Sequence, residues 1–218
     1  MFELPLFPLN TVLFPGMPIN LHIFEPRYRQ MVNQCLETQQ PFGVVLIEDG
    51  QEALGPLAKP HPVGCTAQIT QVDRRPDGRM NILAIGVERF QIHQLDYEQP
   101  YLVGTVELLP LGIDDPQLLE QAGDRLRPWV ERYLAVLSQV AENVDFDPSR
   151  LPIDPVALAN LAAAVVQIPA DQKQTLLATP QAAEFLTVMR TVYRREVALL
   201  SVIVERSSDD NPNLFSLN

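Results

Sequence analysis

Few side chains in this 218-residue sequence are equipped for covalent or metal chemistry. There are three histidines, His22, His61 and His93, and two cysteines, Cys35 and Cys65. His61 and Cys65 stand four apart, a spacing that can hold one edge of a metal site on a helix. Pro62 and Gly64 lie between them and oppose a helix there, and two ligands are too few for zinc. A loop histidine beside a core cysteine is the simpler reading, and no metal or cofactor is expected. The cysteines form no CxxC pair and read as buried small hydrophobes of a reducing compartment.

Only two of the 16 basic residues are lysines, Lys59 and Lys173. A phosphate-cradling loop needs Gly-Lys-Ser/Thr opening a helix. Gly55-Pro-Leu-Ala-Lys59-Pro60 and Asp171-Gln-Lys173-Gln do not supply it. A Ser–Lys dyad would need one of the same lysines desolvated beside a serine, and both lie in polar, turn-like surroundings. No G-x-S-x-G or Cys–His–Asn signature occurs. The chain is therefore expected not to be an enzyme. A formal net charge of −11 repels phosphate backbones, so nucleic acid is an unfavourable partner. Arg74, Arg75 and Arg79 make only a small basic cluster.

The remaining candidates concern binding. In VLFPGMPINLHIFEPRYRQM (12–31), a charged, proline-broken cluster follows two apolar runs. Pro26 suits a first helical position, and Glu25, preceding proline, is held extended. Tyr28, Met31, Val32, Cys35 and Leu36 then recur as one helical stripe. Glu25, Pro26, Arg29 and Arg89 are read as a structural joint, with Glu25 paired to a nearby arginine, Arg89 being one candidate. The alternative is a recognition patch. Arg27 and Gln30 would face water and bind. Phe14 and Met17 lie in an apolar loop that is either a polypeptide-binding surface or a plug for the end of the fold.

These residues need a frame. Ile19, Leu21 and Ile23 alternate with polar residues as in a half-buried strand. FGVVLI (42–47) reads as a strand buried on both faces. VGCTAQITQV and NILAIGVERFQI flank the turn Pro76-Asp77-Gly78. YLVGTVELL closes the series, and Pro5 and Pro8 in the first strand suit an edge. About six strands and one early helix suggest a small β-barrel. Beyond Pro110 the period becomes helical. Asp115-Pro116 and Asp154-Pro155 start helices, and further helices follow Pro169 and Thr179-Pro180. Pro128 should kink or split the first of these. The division expected is a barrel over 1–112, a helical bundle over 113–206 and a polar, flexible tail over 207–218. Leu214, Phe215 and Leu217 in that tail could dock on a partner or on the chain itself.

LPLFPLNTVLFPGMPINLHIFEPRYRQMV, FGVVLI, VGCTAQI, DGRMNILAIGVERFQI and PYLVGTVELL, in that order, resemble the N-terminal substrate-binding domain of Lon-type proteases. The similarity is to its free-standing form, without the ATPase and Ser–Lys modules. It spans residues 2–206, and its most specific parts are the opening segment and Gly86-x-x-Arg89-Phe90. The resemblance implies an α+β fold, with a PUA-like β-barrel followed by an α-helical bundle. It also implies a non-catalytic module that binds unfolded or degron-bearing polypeptides, either on its own or as an adaptor to a separate protease. The alternatives are a PUA-like nucleic-acid or small-ligand binder, by analogy of fold, and a hydrolase with an unrecognised site. No signal peptide or membrane span is evident, so a cytoplasmic or plastid stromal location is expected.

Overall fold

A computed structural model describes residues 1–53, 55–140 and 147–209. The expectations for Asn213–Asn218 and most of the tail lie outside the described residues. The fold is mixed α+β, with an N-terminal six-stranded sheet and one early helix followed by four helices. The strands are β1 (Phe2–Leu9), β2 (Pro18–Ile23), β3 (Phe42–Asp49), β4 (Lys59–Arg74), β5 (Met80–Asp96) and β6 (Leu102–Leu108), with α1 (Pro26–Thr38) between β2 and β3. Then come α2 (Pro116–Val140), α3 (Pro155–Val165), α4 (Ala170–Ala178) and α5 (Ala182–Asp209). The described residues form two compact units, one drawn from 1–112 and 163–180, the other from 113–162 and 181–209.

In the first unit the strand order is β2-β5-β4-β3-β1-β6, and β5 pairs with β6 as well, closing a ring. All neighbours are antiparallel except β1 and β3. The prolines of β1 fit because its two halves have different partners. Phe2–Leu6 pair with β6, and Leu6–Leu9 pair with β3. Phe42–Leu46 of β3 are all buried, as a continuous apolar run demands. Alternation sends Leu4, Leu6, Val45 and Phe90 into one core cluster. Phe7, Leu9, Phe42, Val44 and the α1 stripe Tyr28, Met31, Val32 and Cys35 enter another.

Phe90 explains two glycines, Gly64 of the neighbouring β4 and Gly43 of β3 beyond it. A Cβ at Gly64 would lie 2.6 Å from the tip of its ring, and one at Gly43 would lie 2.7 Å away. The ring occupies the space those side chains would need. On the opposite face of the same strand, Arg89 is buried at 6% exposure. Its Nη1 donates to the carbonyls of Leu177 and Thr179, both at 2.7 Å, at the C-terminus of α4. Carbonyls there have no partner within the helix, and a cation also suits that end of the dipole. Gln174 Nε2 adds a bond to the Val63 carbonyl at 2.9 Å. These contacts hold α4 on the sheet.

In the second unit, Asp115 and Asp154 cap α2 and α3. Asp115 Oδ1 accepts from Gln117 N at 2.9 Å, and Asp154 Oδ1 accepts from Ala157 N at 2.7 Å. Pro128 does not split α2, which runs as one helix through it. Tyr133 of α2 meets Tyr193 of α5 edge to face at 5.0 Å, and the Tyr193 hydroxyl donates to the Ala162 carbonyl at 2.9 Å. Burial raises the Tyr193 pKa, keeping that phenol neutral. Among the described residues no helix is long and apolar enough to cross a membrane.

Candidate functional site

The strand-to-helix joint is built as proline geometry dictates. Glu25 is extended at φ −71° and ψ 136°, Pro26 opens α1, and Arg29 N–H closes the first turn onto the Glu25 carbonyl at 3.0 Å. The joint sets the direction in which β2 delivers its last residues and α1 its first. Between them lies a cleft of about 290 Å³. Phe7 and Leu9 of β1, the run Asn20–Glu25, Tyr28, Glu52 and Ala53 line it.

Aromatic rings form much of the lining. Phe7 stacks on Tyr28 with centroids 4.1 Å apart, and the Arg27 guanidinium lies 4.7 Å from the Tyr28 centroid. Phe24 is 41% exposed, and the His22 ring stacks near it at 5.9 Å. His22 Nδ1 shares a 2.7 Å hydrogen bond with Asn81 Oδ1, which fixes the imidazole. Burial raises the Tyr28 pKa; Arg27 opposes this, while Glu25 and Glu52 add to it. The phenol therefore stays neutral.

Two carboxylates face this space. Glu25 pairs with Arg27, whose Nε lies 2.9 Å from Oε2, and both side chains are largely buried. The Nε makes no aligned hydrogen bond, so this contact is ionic. Arg27 Nη1 also donates to the Gly55 carbonyl at 3.1 Å, tying α1 to the segment after β3. Glu52 of that segment accepts the Asn10 N–H at 3.0 Å, just past the end of β1. The mouth of the cleft is thus bounded by a loop tethered at two points.

The structure disperses several residues grouped by sequence. Arg89 does not pair with Glu25; it faces the carbonyls of α4 instead, and Arg27 takes the carboxylate. Arg29 also lies elsewhere, its guanidinium occupying the space a side chain at Gly78 would need. Arg27 does not stand in water, because its charge is neutralised locally and its side chain is 14% exposed. Gln30 is exposed. Phe14 is fully buried and offers no surface to a ligand, while Met17 is half-buried and packs on the core. Their loop is fixed to β5, with Gly16 N–H donating to the Gly86 carbonyl at 2.8 Å and Gly86 N–H to the Met17 carbonyl at 2.9 Å. Phe7, Phe24 and Glu52 were not singled out by the sequence. Phe24 carried one usable signal, since the alternation Ile19, Leu21, Ile23 puts this aromatic on the outer face with Asn20 and His22.

Residues 3–188 match the family described as the ATP-dependent protease La (LON) substrate-binding domain. The chain belongs to that family. Among the Lon proteases it is similar to are one from Roseiflexus castenholzii, 29% identical over 206 residues, and Lon protease 1 of Hydrogenovibrio crunogenus, 26% identical over 174. These alignments cover 91% and 77% of this chain but 25% and 20% of the relatives. The chain therefore spans about a quarter or less of those Lon proteases. A crystal structure of a Lon N-terminal domain protein from Xanthomonas campestris superposes with a TM-score of 0.61 at 26% identity, over 85% of this chain and 95% of that one. The N-terminal domain of a Mycobacterium avium complex Lon protease gives 0.64 at 21% identity, over 88% and 98%, and so bears on the fold alone.

Proposed function

We propose that this chain is a non-catalytic module that binds polypeptide and serves as an adaptor, presenting unfolded or degron-bearing proteins to a separate protease in the cytoplasm or a plastid stroma. The observation that carries the reading is the match of residues 3–188 to a substrate-binding domain family. The cleft at the joint supports it, because exposed aromatic surface beside polar groups is what an unstructured client can bury. A disordered client loses conformational entropy on docking, so the affinity should be on the order of micromolar.

Fluorescence anisotropy of labelled, reduced and alkylated α-lactalbumin tests the binding. The wild-type chain should bind with micromolar affinity that largely survives high salt, since apolar burial is not screened. Phe24→Ser should weaken it several-fold without changing the melting temperature. Absence of binding by the wild type at high protein concentration refutes the reading. Equal binding by Phe24→Ser removes the cleft from it. The adaptor role requires that adding this chain speeds degradation of the same client by a partner protease from the same cell.

A further inference from the structure

The strand register leaves one opening in the sheet, and the cleft lies in it. Among the described strands β2 pairs with β5 alone, so its other edge is free. β6 begins opposite Leu6 of β1, so Phe7–Leu9 have β3 on one side and no strand on the other. Residues of both free edges line the same cleft, Phe7 and Leu9 on one wall and the run from Asn20 to Phe24 on the other. A strand seen face-on shows every second residue. Five consecutive residues are what an edge shows. The free edge of β2 directs every second N–H and C=O away from β5, whereas the end of β1 has no N–H to give at Pro8. Edges are usually blunted by lysine, proline or a bulge; Pro8 blunts the end of β1 and Pro18 opens β2, but from Ile19 to Ile23 β2 has none of these, so β2 is the main edge offered.

We infer that an extended segment of a client polypeptide enters here as an added strand between β2 and the end of β1, with a cationic side chain of that segment beside Glu52. This rests on the polypeptide-binding reading and specifies its mode. The size of the opening selects an extended occupant. At about 290 Å³ it sits at the lower end of ligand-site volumes, whereas a helix with its side chains is roughly 10 Å across. Charge selects the residue. The charged groups lining the cleft are Glu25, already neutralised by Arg27, and Glu52, which holds one backbone N–H and as a carboxylate accepts more. Main-chain bonds to an exposed edge give affinity without sequence preference, and the side-chain pockets beside it give the selection. That division suits a module handling many clients.

The probe is a fluorescein-labelled heptapeptide, Ser-Val-Thr-Lys-Val-Thr-Ser, titrated against the full chain. N-methylation of alternate residues removes the donors of one edge, and two such peptides cover both edges. At least one should bind about tenfold more weakly, the loss of one or two net hydrogen bonds. Replacing the peptide's lysine with glutamate should weaken binding several-fold, and Glu52→Gln should erase that difference. Hydrogen exchange should slow at the amides of Phe7 and Leu9 and of residues 19–24 when the peptide is bound. Equal affinity of all N-methylated forms, with unchanged exchange in those segments, overturns the added strand even if α-lactalbumin still binds. α-Lactalbumin bound with no peptide bound overturns it as well. Failure of both probes removes the polypeptide-binding reading along with it.

Discussion

Replacing Arg89 tests how the first unit holds together. Its guanidinium is buried, makes no salt bridge among the described residues, and is held by two 2.7 Å bonds to the terminal carbonyls of α4. Burial lowers its pKa, but not enough to discharge an arginine. A hydrogen bond from a charged donor contributes about 1.5–3 kcal/mol, so the pair contributes about 3–6. Removing the charge relieves the residual cost of its burial, on the order of 1–3 kcal/mol. Arg89→Met keeps the packing of the stem and should cost about 2–3 kcal/mol net. Arg89→Lys keeps the charge but cannot span both carbonyls in a rigid fork, and should cost about half that. Urea unfolding monitored by circular dichroism gives the global value. Limited proteolysis should show cleavage within residues 165–180 at denaturant concentrations where the sheet is intact. A loss below about 1 kcal/mol for Arg89→Met, with no new cleavage there, would refute the argument that this side chain anchors α4.

Gly86→Ala should destabilise by about 2–4 kcal/mol, because its Cβ would overlap the Phe14 carbonyl oxygen; the shift in urea midpoint reads it directly. Glu25→Ala leaves Arg27 as an unpaired, mostly buried cation and should cost about 1–3 kcal/mol, whereas Arg29→Ala, whose charge is not paired to Glu25, should cost less than about 1; equal melting curves for Glu25→Ala and the parent would contradict this. Burial pushes the Cys65 thiol from 9.0 up to about 12, and Cys35 up to about 11. Above about pH 9 the unfolded thiols ionise while the folded ones do not, so stability present below pH 9 declines, by about 1.4 kcal/mol per pH unit for Cys65, until its folded pKa is reached. Cys65→Ala should flatten that alkaline slope, measured by urea unfolding at about pH 8, 9 and 10.

Local signals made much of the frame legible. The proline after Glu25, the stripe Tyr28–Met31–Val32–Cys35 and the apolar run of β3 each act over a few residues, and the elements they announce are those that form. The alternation of β4 and β5 about Pro76-Asp77-Gly78 likewise announced a hairpin. Which arginine meets Glu25 was not legible, because proximity in sequence names two candidates and electrostatics alone cannot rank them. The role of Arg89 depends on carbonyls 88 and 90 residues away, which no periodicity encodes. Phe14-Pro-Gly-Met17 could be either a binding surface or a plug in the sequence, because what fixes it is backbone groups of Gly86, invisible in side-chain types. The cleft arises where β6 stops and β2 does not continue the ring, a property of register and not of composition.

The first unit is discontinuous in the chain, and that has a consequence for its biosynthesis. The ribosome releases residues 1–112, then roughly 70 more before Pro180 completes the unit. At typical elongation rates this is an interval of about 3–14 s. A strand ring can close in far less time, but throughout that interval the nascent barrel carries Arg89 without its acceptors and Val63 without its amide donor. The nascent chain is therefore obliged to wait, holding a charge-bearing face uncovered until α4 has been made. Synonymous codon changes that slow translation between residues 113 and 180 would lengthen this exposure and raise the aggregated fraction without altering a single side chain.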